Sequence, residues 1–182
     1  MNEVLKAIED RRSIRAYTTE PVSDEMLEKL ITCVKQAPSA RNMQPCHFSF
    51  VRDQALLRAF SADMRAVMNN KPNTPEHLKD PEYDVLYKAP LVAFIFSEIP
   101  NGYHSIDGGI AVQTLALAAH SMGLGSVILG MPREVFASEY AAKWFSALGA
   151  PENAGFVIAI SIGHPAATKD AHPVRDNLIT VL

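Results

Sequence analysis

Cysteine is scarce in this chain: Cys33 and Cys46 are the only two among 182 residues. Two thiols cannot supply the disulfide framework of a small secreted scaffold. Basic charge is not in surplus either, since 17 Lys and Arg face 20 Asp and Glu, for a formal net charge of −3. That balance excludes the global positive field by which proteins hold nucleic acid or an anionic membrane, so any anion site must be local. Metal-ligand spacing is missing as well. His47, His77, His104, His120, His164 and His172 are scattered, and the adjacent Cys46 and His47 would point to opposite faces of a strand. No Gly-x-Ser-x-Gly segment marks a nucleophile elbow. The opening MNEVLKAIEDRR is amphipathic and acidic, where a secretory leader would be basic and then apolar, so the expected location is the reducing cytoplasm.

Charge also disappears locally, for no Asp, Glu, Lys or Arg occurs between Asp107 and Arg133. The run is long enough to cross a bilayer. Gln113, His120 and the break at Gly123–Leu124–Gly125 interrupt it, which suits a buried helix turning into a buried strand. With 48% hydrophobic residues, the composition fits one compact domain over residues 1–182 and leaves no room for a second.

Local signals then place the elements. Ser23 caps a helix whose apolar positions are Met26, Leu27, Leu30, Ile31 and Val34, and Pro38 forbids its continuation beyond about Gln36. His47 to Val51 reads as a strand, followed by an amphipathic helix through Leu56, Leu57, Phe60, Met64 and Val67. Residues 69–81, rich in Pro and Asn without apolar period, are expected to form a mobile loop or lid. Leu91 to Phe96, ahead of a turn at Pro100–Asn101–Gly102, is a central strand buried on both faces, and Ile110 to Met122 is a helix apolar nearly all round. Ser126 to Leu129 and Phe156 to Ile162 are further strands, separated by a helix from Pro132 to Gly149. Four strands and five helices predict a central sheet flanked by helices. The tail ends in Leu178, Ile179, Val181 and Leu182, an apolar stretch that needs a surface to cover.

Three segments carry chemistry. If the chain is extended after the first helix, Arg11, Ser13 and Arg15 point the same way beside Arg12, a set suited to a phosphate monoester; arginines merely favouring a helix C-terminus are the alternative. Pro38, Ser39, Ala40, Arg41, Asn42 and Gln44 offer small residues with hydroxyl and amide groups, suited to the polar edge of a heterocycle or to an ordinary turn. The glycines around Ile128, Leu129 and Gly130 permit close backbone approach, or simply a tight helix-to-strand connection. Arg175 in the tail is a fourth candidate for anion contact.

In this order, RRSIRAY, APSARNMQP, YKAPLVAFIF, DGGIAVQTLALAAHSMGLGSVILGMP and SIGHP resemble the nitroreductase-like FMN oxidoreductases over essentially the whole chain. The resemblance implies an α+β, nitroreductase-like fold with a central mixed sheet, forming an obligate homodimer with FMN held between subunits. Arg11, Arg12, Ser13 and Arg15 would hold the phosphate, ribityl chain and pyrimidine end, with Arg175 on the phosphate side. Pro38 to Asn42 and Gln44 would reach in from the other subunit, and Ile128, Leu129 and Gly130 would line the ring. Residues from about 165 to 182 would pack on the partner. The implied activity is hydride transfer from NADH or NADPH through flavin to a small-molecule acceptor such as a nitroaromatic or quinone, with no catalytic side chain. Alternatives are a specialised dehalogenase or flavin-cleaving member, and a flavin-binding module for storage or sensing. Cys46 and His164 stand where the family usually has Trp and Tyr, which bears on substrate preference.

Overall fold

A computed structural model describes residues 2–98, 102–175 and 177–182; Pro100 and Asn101 of the expected turn fall outside them. Helix α1 (Glu3–Asp10) starts behind Asn2, whose side-chain oxygen accepts from the Val4 and Leu5 N–H groups. Helix α2 (Asp24–Lys35) starts at Ser23, whose hydroxyl accepts from Met26 N–H. Asp24 and Glu25 in its first turn and Lys35 in its last each sit at the end of the dipole they favour.

Strands β1 (Cys46–Val51), β2 (Leu91–Glu98), β3 (Gly125–Leu129) and β4 (Ala154–Gly163) form one sheet in the order β1-β2-β4-β3. All three strand pairs are antiparallel. The expected mixed sheet is corrected: its four strands are antiparallel throughout, and the one parallel pairing among the described residues is an isolated bridge between Ser13 and Ser126, outside the named strands, which lays the chain after α1 along the β3 edge.

Side chains alternate across β2, so Val92, Phe94 and Phe96 enter one core while Leu91, Ala93 and Ile95 enter the other. Burial on both faces is why this strand is a continuous apolar run. Helices α3 (Gln54–Asn69), α5 (Arg133–Phe136) and α6 (Ala141–Ala147) cover the first face. There the Phe60 ring lies 5.0 Å from Phe94 and 4.9 Å from Trp144, both edge-on. Helices α2 and α4 (His104–Ser121) cover the second face with Leu30, Val34, Ala111, Leu115 and Ala119. Close approach requires Gly108 on α4, because a Cβ there would lie 2.5 Å from Val157 Cγ1. Val157 is the extra residue at a bulge, where the β2–β4 register passes from Ile95 and Ile158 to Phe96 and Phe156.

Two further expectations are corrected. The single helix from Pro132 to Gly149 is two helices, because Ser138 Oγ donates to Val135 O (2.7 Å) and accepts from Tyr140 N–H (3.2 Å), taking up backbone groups at the break. Residues 69–81 are not a free lid: a short 3-10 turn, Glu76–Leu78, plants Leu78 in the first core at 1% exposure. Among the described residues no helix is long and apolar enough to cross a membrane.

Candidate functional site

Beyond α1 the backbone is extended, and Ile14 N–H donates to Ser126 O at 2.9 Å. Ile14 packs on Gly125, where a Cβ would lie 3.0 Å away, so this glycine of the GLGSVILGM segment makes room for the protein itself. Tyr17 closes the segment by donating its phenol to Ile14 O (2.7 Å), with Ser161 O at 3.2 Å. Burial pushes its ionisation above the ordinary tyrosine value, with Tyr87 adding to the effect and Arg15 opposing it.

Arg11 and Arg12 are half-buried in a cavity of about 280 Å³ whose wall includes His120, Gly123, Thr168 and Lys169. Arg12 Nη1 donates to the carbonyls of Glu9 (2.5 Å) and Arg11 (2.9 Å). Ser13 is half-buried at the β3 edge, and the exposed Arg15 guanidinium carbon lies 6.0 Å from the centre of the Tyr87 ring. Further along β3, Ile128 is 36% exposed and Leu129 is buried. Gly130 follows, its carbonyl accepting from Arg133 Nε at 3.1 Å. Thus Arg11 to Arg15 and Ile128 to Gly130 do share one edge of the sheet. Arg175 is exposed and does not line the cavity; Lys169 stands there, a residue to which no sequence signal pointed.

The second segment is built differently. After α2 and Pro38, the chain makes a 3-10 turn over Ala40–Asn42, with Arg41 at φ 52°, Asn42 at 55° and Gln44 at 50°. Each left-handed non-glycine residue costs on the order of 1 kcal/mol or more and persists only where its surroundings over-determine it. Here they do. Ser39 Oγ accepts from Gln44 N–H (2.8 Å), Gln44 Nε2 donates to Asn42 Oδ1 (3.0 Å), and Asp107 Oδ1 accepts from Ala40 N–H (3.0 Å). Asp107, only 3% exposed, lies in the first turn of α4. In the sequence Asp107 stands at the border of the uncharged stretch and opens the DGGIAVQTL segment, and a lone acid on that border was the available signal.

Beside this turn, a cavity of about 570 Å³ separates α2 from β1, with Ser39, Gln44, Cys46 and Asp107 at its polar end. Burial pushes the Cys46 thiol up, and the nearby Asp107 carboxylate pushes it further. A protonated thiol is a poor nucleophile.

Asp107 marks one end of α4 and His120 the other, on the order of 20 Å apart at the helical rise. One chain therefore does not bring the Pro38–Gln44 segment to the arginine cavity. Apolar surface lies between and around them: Val4, Leu5 and Ile8 on α1 are 52–62% exposed, and Ile106 on α4 is 56% exposed. The assembled features are a cavity lined by Arg11, Arg12 and Lys169 with Asp10 on its wall, exposed apolar side chains at Ile128 and Met131, and a hydrogen-bonded turn.

Over residues 8–164 the chain matches the model of the Nitroreductase family. It is 34% identical over 179 residues to a protein of Archaeoglobus fulgidus named for NADH dehydrogenase and NAD(P)H nitroreductase activity, covering 97% of this chain and 93% of that one. An FMN reductase [NAD(P)H] of Bacillus subtilis is 33% identical over 184 residues, covering 95% and 70%. Among solved structures, a nitroreductase with bound FMN from Desulfitobacterium hafniense superposes with a TM-score of 0.94 at 30% identity, covering 100% and 99%. The chain belongs to the nitroreductase family.

Proposed function

We propose that this chain is an FMN-dependent oxidoreductase that takes hydride from NADH or NADPH and delivers it to a small acceptor such as a nitroaromatic or quinone. The observation that carries this reading is the arginine cavity beside β3, in a chain that superposes along its full length on an FMN-bound nitroreductase. FMN, when bound, supplies the hydride chemistry. The protein's part is binding and charge. Arg11 and Arg12, joined by Lys169, hold the phosphate, with Arg175 of the tail on the same side; Ser13 meets the polyol, and Arg15 brings positive charge to the ring edge. Ile128, Leu129 and Gly130 form the wall of the ring site. No side-chain nucleophile is required, and the two substrates use one site in turn.

The partner is a second copy of the chain. Because Pro38, Ser39, Ala40, Arg41, Asn42 and Gln44 stand at the far end of α4 from the arginines, a second copy has to present them to the flavin. The exposed apolar faces of α1 and α4 supply the contact, and residues 165–182, with Ile179 and Val181 82% and 90% exposed, extend the 1–182 domain over the neighbour. Two free thiols suit the reducing cytoplasm.

The test is mass spectrometry of the small molecule released on denaturation, together with light scattering and NAD(P)H oxidation in the presence of a quinone. One FMN per chain, a dimer mass and quinone-dependent turnover are expected. FMN without turnover would leave a binding module instead, and a flavin-free monomer would sink the reading.

A further inference from the structure

A recess of about 490 Å³, separate from both segments of the flavin site, lies where β1 ends, α3 begins and β2 starts; its wall includes Thr18, Thr19, Arg52, Arg58 and Lys88. We propose that it takes a phosphate monoester, the 2′-phosphate of NADPH, and so sets the choice between NADPH and NADH. The inference rests on the hydride-transfer function proposed above and names its reductant.

Charge comes first. Arg52 is already paired, its Nη1 lying 2.5 Å from Asp24 Oδ1. Arg58 and Lys88 have no carboxylate within ion-pair distance among the described residues. The acid of the recess, Asp84, accepts from Leu86 N–H at 2.7 Å through Oδ1, and its charge offsets one of the two cations, which leaves the recess net positive. Two unpaired cations sharing one concavity is a local exception in a chain of net charge −3. Two hydroxyls complete the donor set. Thr18 Oγ1 accepts from Glu20 N–H at 3.3 Å, which leaves its own proton to donate. A monoester has three acceptor oxygens and close to two negative charges, which two cations and two hydroxyls match better than a carboxylate or a diester would.

The wall is braced, and it is tied to the flavin segment. Gln54 Nε2 donates to Ala89 O and Pro90 O, both at 3.3 Å, which holds the start of β2 against α3. Just before it, Tyr87 and Lys88 are consecutive left-handed residues, at φ 61° and 52°. That bend sends the Tyr87 ring to Arg15 and places Lys88 on the recess. Through Tyr87 the recess is thus connected to Arg15 of the flavin segment.

The test uses the FMN-loaded protein and calorimetric titration of 2′,5′-ADP against 5′-AMP, for wild type and the double variant Arg58→Gln/Lys88→Gln. Wild type should bind 2′,5′-ADP about tenfold or more tightly than AMP, as expected for charge-assisted contacts, and the double variant should lose the difference. The kcat/KM ratio of NADPH to NADH should fall by about the same factor. Equal binding of the two nucleotides by wild type, or a parallel change for NADPH and NADH, would overturn the proposal. Absence of FMN or of any NAD(P)H oxidation would instead defeat the function itself, while the nucleotide titration still reads the recess. Both side chains are exposed, and an unchanged thermal midpoint confirms that the variant is folded.

Discussion

At the Asp107 end of α4, a turn with three left-handed residues is held by three hydrogen bonds accepted by Ser39, Asn42 and Asp107. At the His120 end, Arg11, Arg12 and Lys169 line a cavity on relaxed, extended backbone. The first region has its shape before any ligand arrives, because strain is balanced by bonds within the protein. The second is organised by charge, and in the proposed site it would gain its order from the FMN phosphate. The difference teaches that one site can be assembled from a rigid template and an electrostatic clamp, each failing in its own way.

The largest effect should come from the clamp. Each guanidinium–phosphate contact contributes roughly 1.5–3 kcal/mol, so Arg11→Ala/Arg12→Ala should weaken FMN binding by on the order of 100-fold or more, while the apo protein loses only about 1–2 kcal/mol with the Arg12 bonds to Glu9 O and Arg11 O. Fluorescence titration and thermal melts would check both, and a variant that melts early but binds FMN normally would reverse the assignment. Added salt should also weaken FMN binding.

Next comes the template. Asp107→Ala leaves the Ala40 N–H without its acceptor, at a cost of about 1–3 kcal/mol, and should lower both the urea midpoint and FMN affinity. If the midpoint holds, the turn is not maintained from α4.

Tyr17→Phe removes one buried hydrogen bond, about 1 kcal/mol. It also tests a pH dependence. Burial raises the Tyr17 ionisation above its unfolded value near 10, so the folded state favours the neutral phenol. That contribution is complete below about pH 10 and is lost as the pH rises further. Urea midpoints between pH 8 and 11 should fall for the wild type and stay flatter for Tyr17→Phe.

Smallest is Arg41→Gly. Relief of the positive φ should stabilise by up to about 1 kcal/mol, partly offset by the greater freedom of glycine in the unfolded chain. FMN binding should weaken nonetheless because the template is loosened. A tighter FMN complex would show that rigidity is not what this turn provides.

What the sequence disclosed follows the same division. Elements governed by neighbours along the chain were legible: Ser23 and Pro38 bound α2, and the unbroken apolar run of β2 announced a strand covered on both sides. Contacts spanning the chain were not. Nothing local links Asp107 to Ala40 across 67 positions, and Arg41, Asn42 and Gln44 carry no glycine to advertise a left-handed turn. The break between α5 and α6 depends on where one hydroxyl, that of Ser138, points. Lys169 reaches the arginine cavity through a tail whose composition gives no period to read.

Helix α4, 18 residues long and nearly devoid of charge, acts as a spacer of fixed length. If each flavin needs both of its ends, one from each copy, then competence becomes a matter of dilution. Above the dissociation constant of the pair, the rate grows in proportion to protein; below it, the rate falls with the square of concentration, and a solitary copy is inert although fully folded.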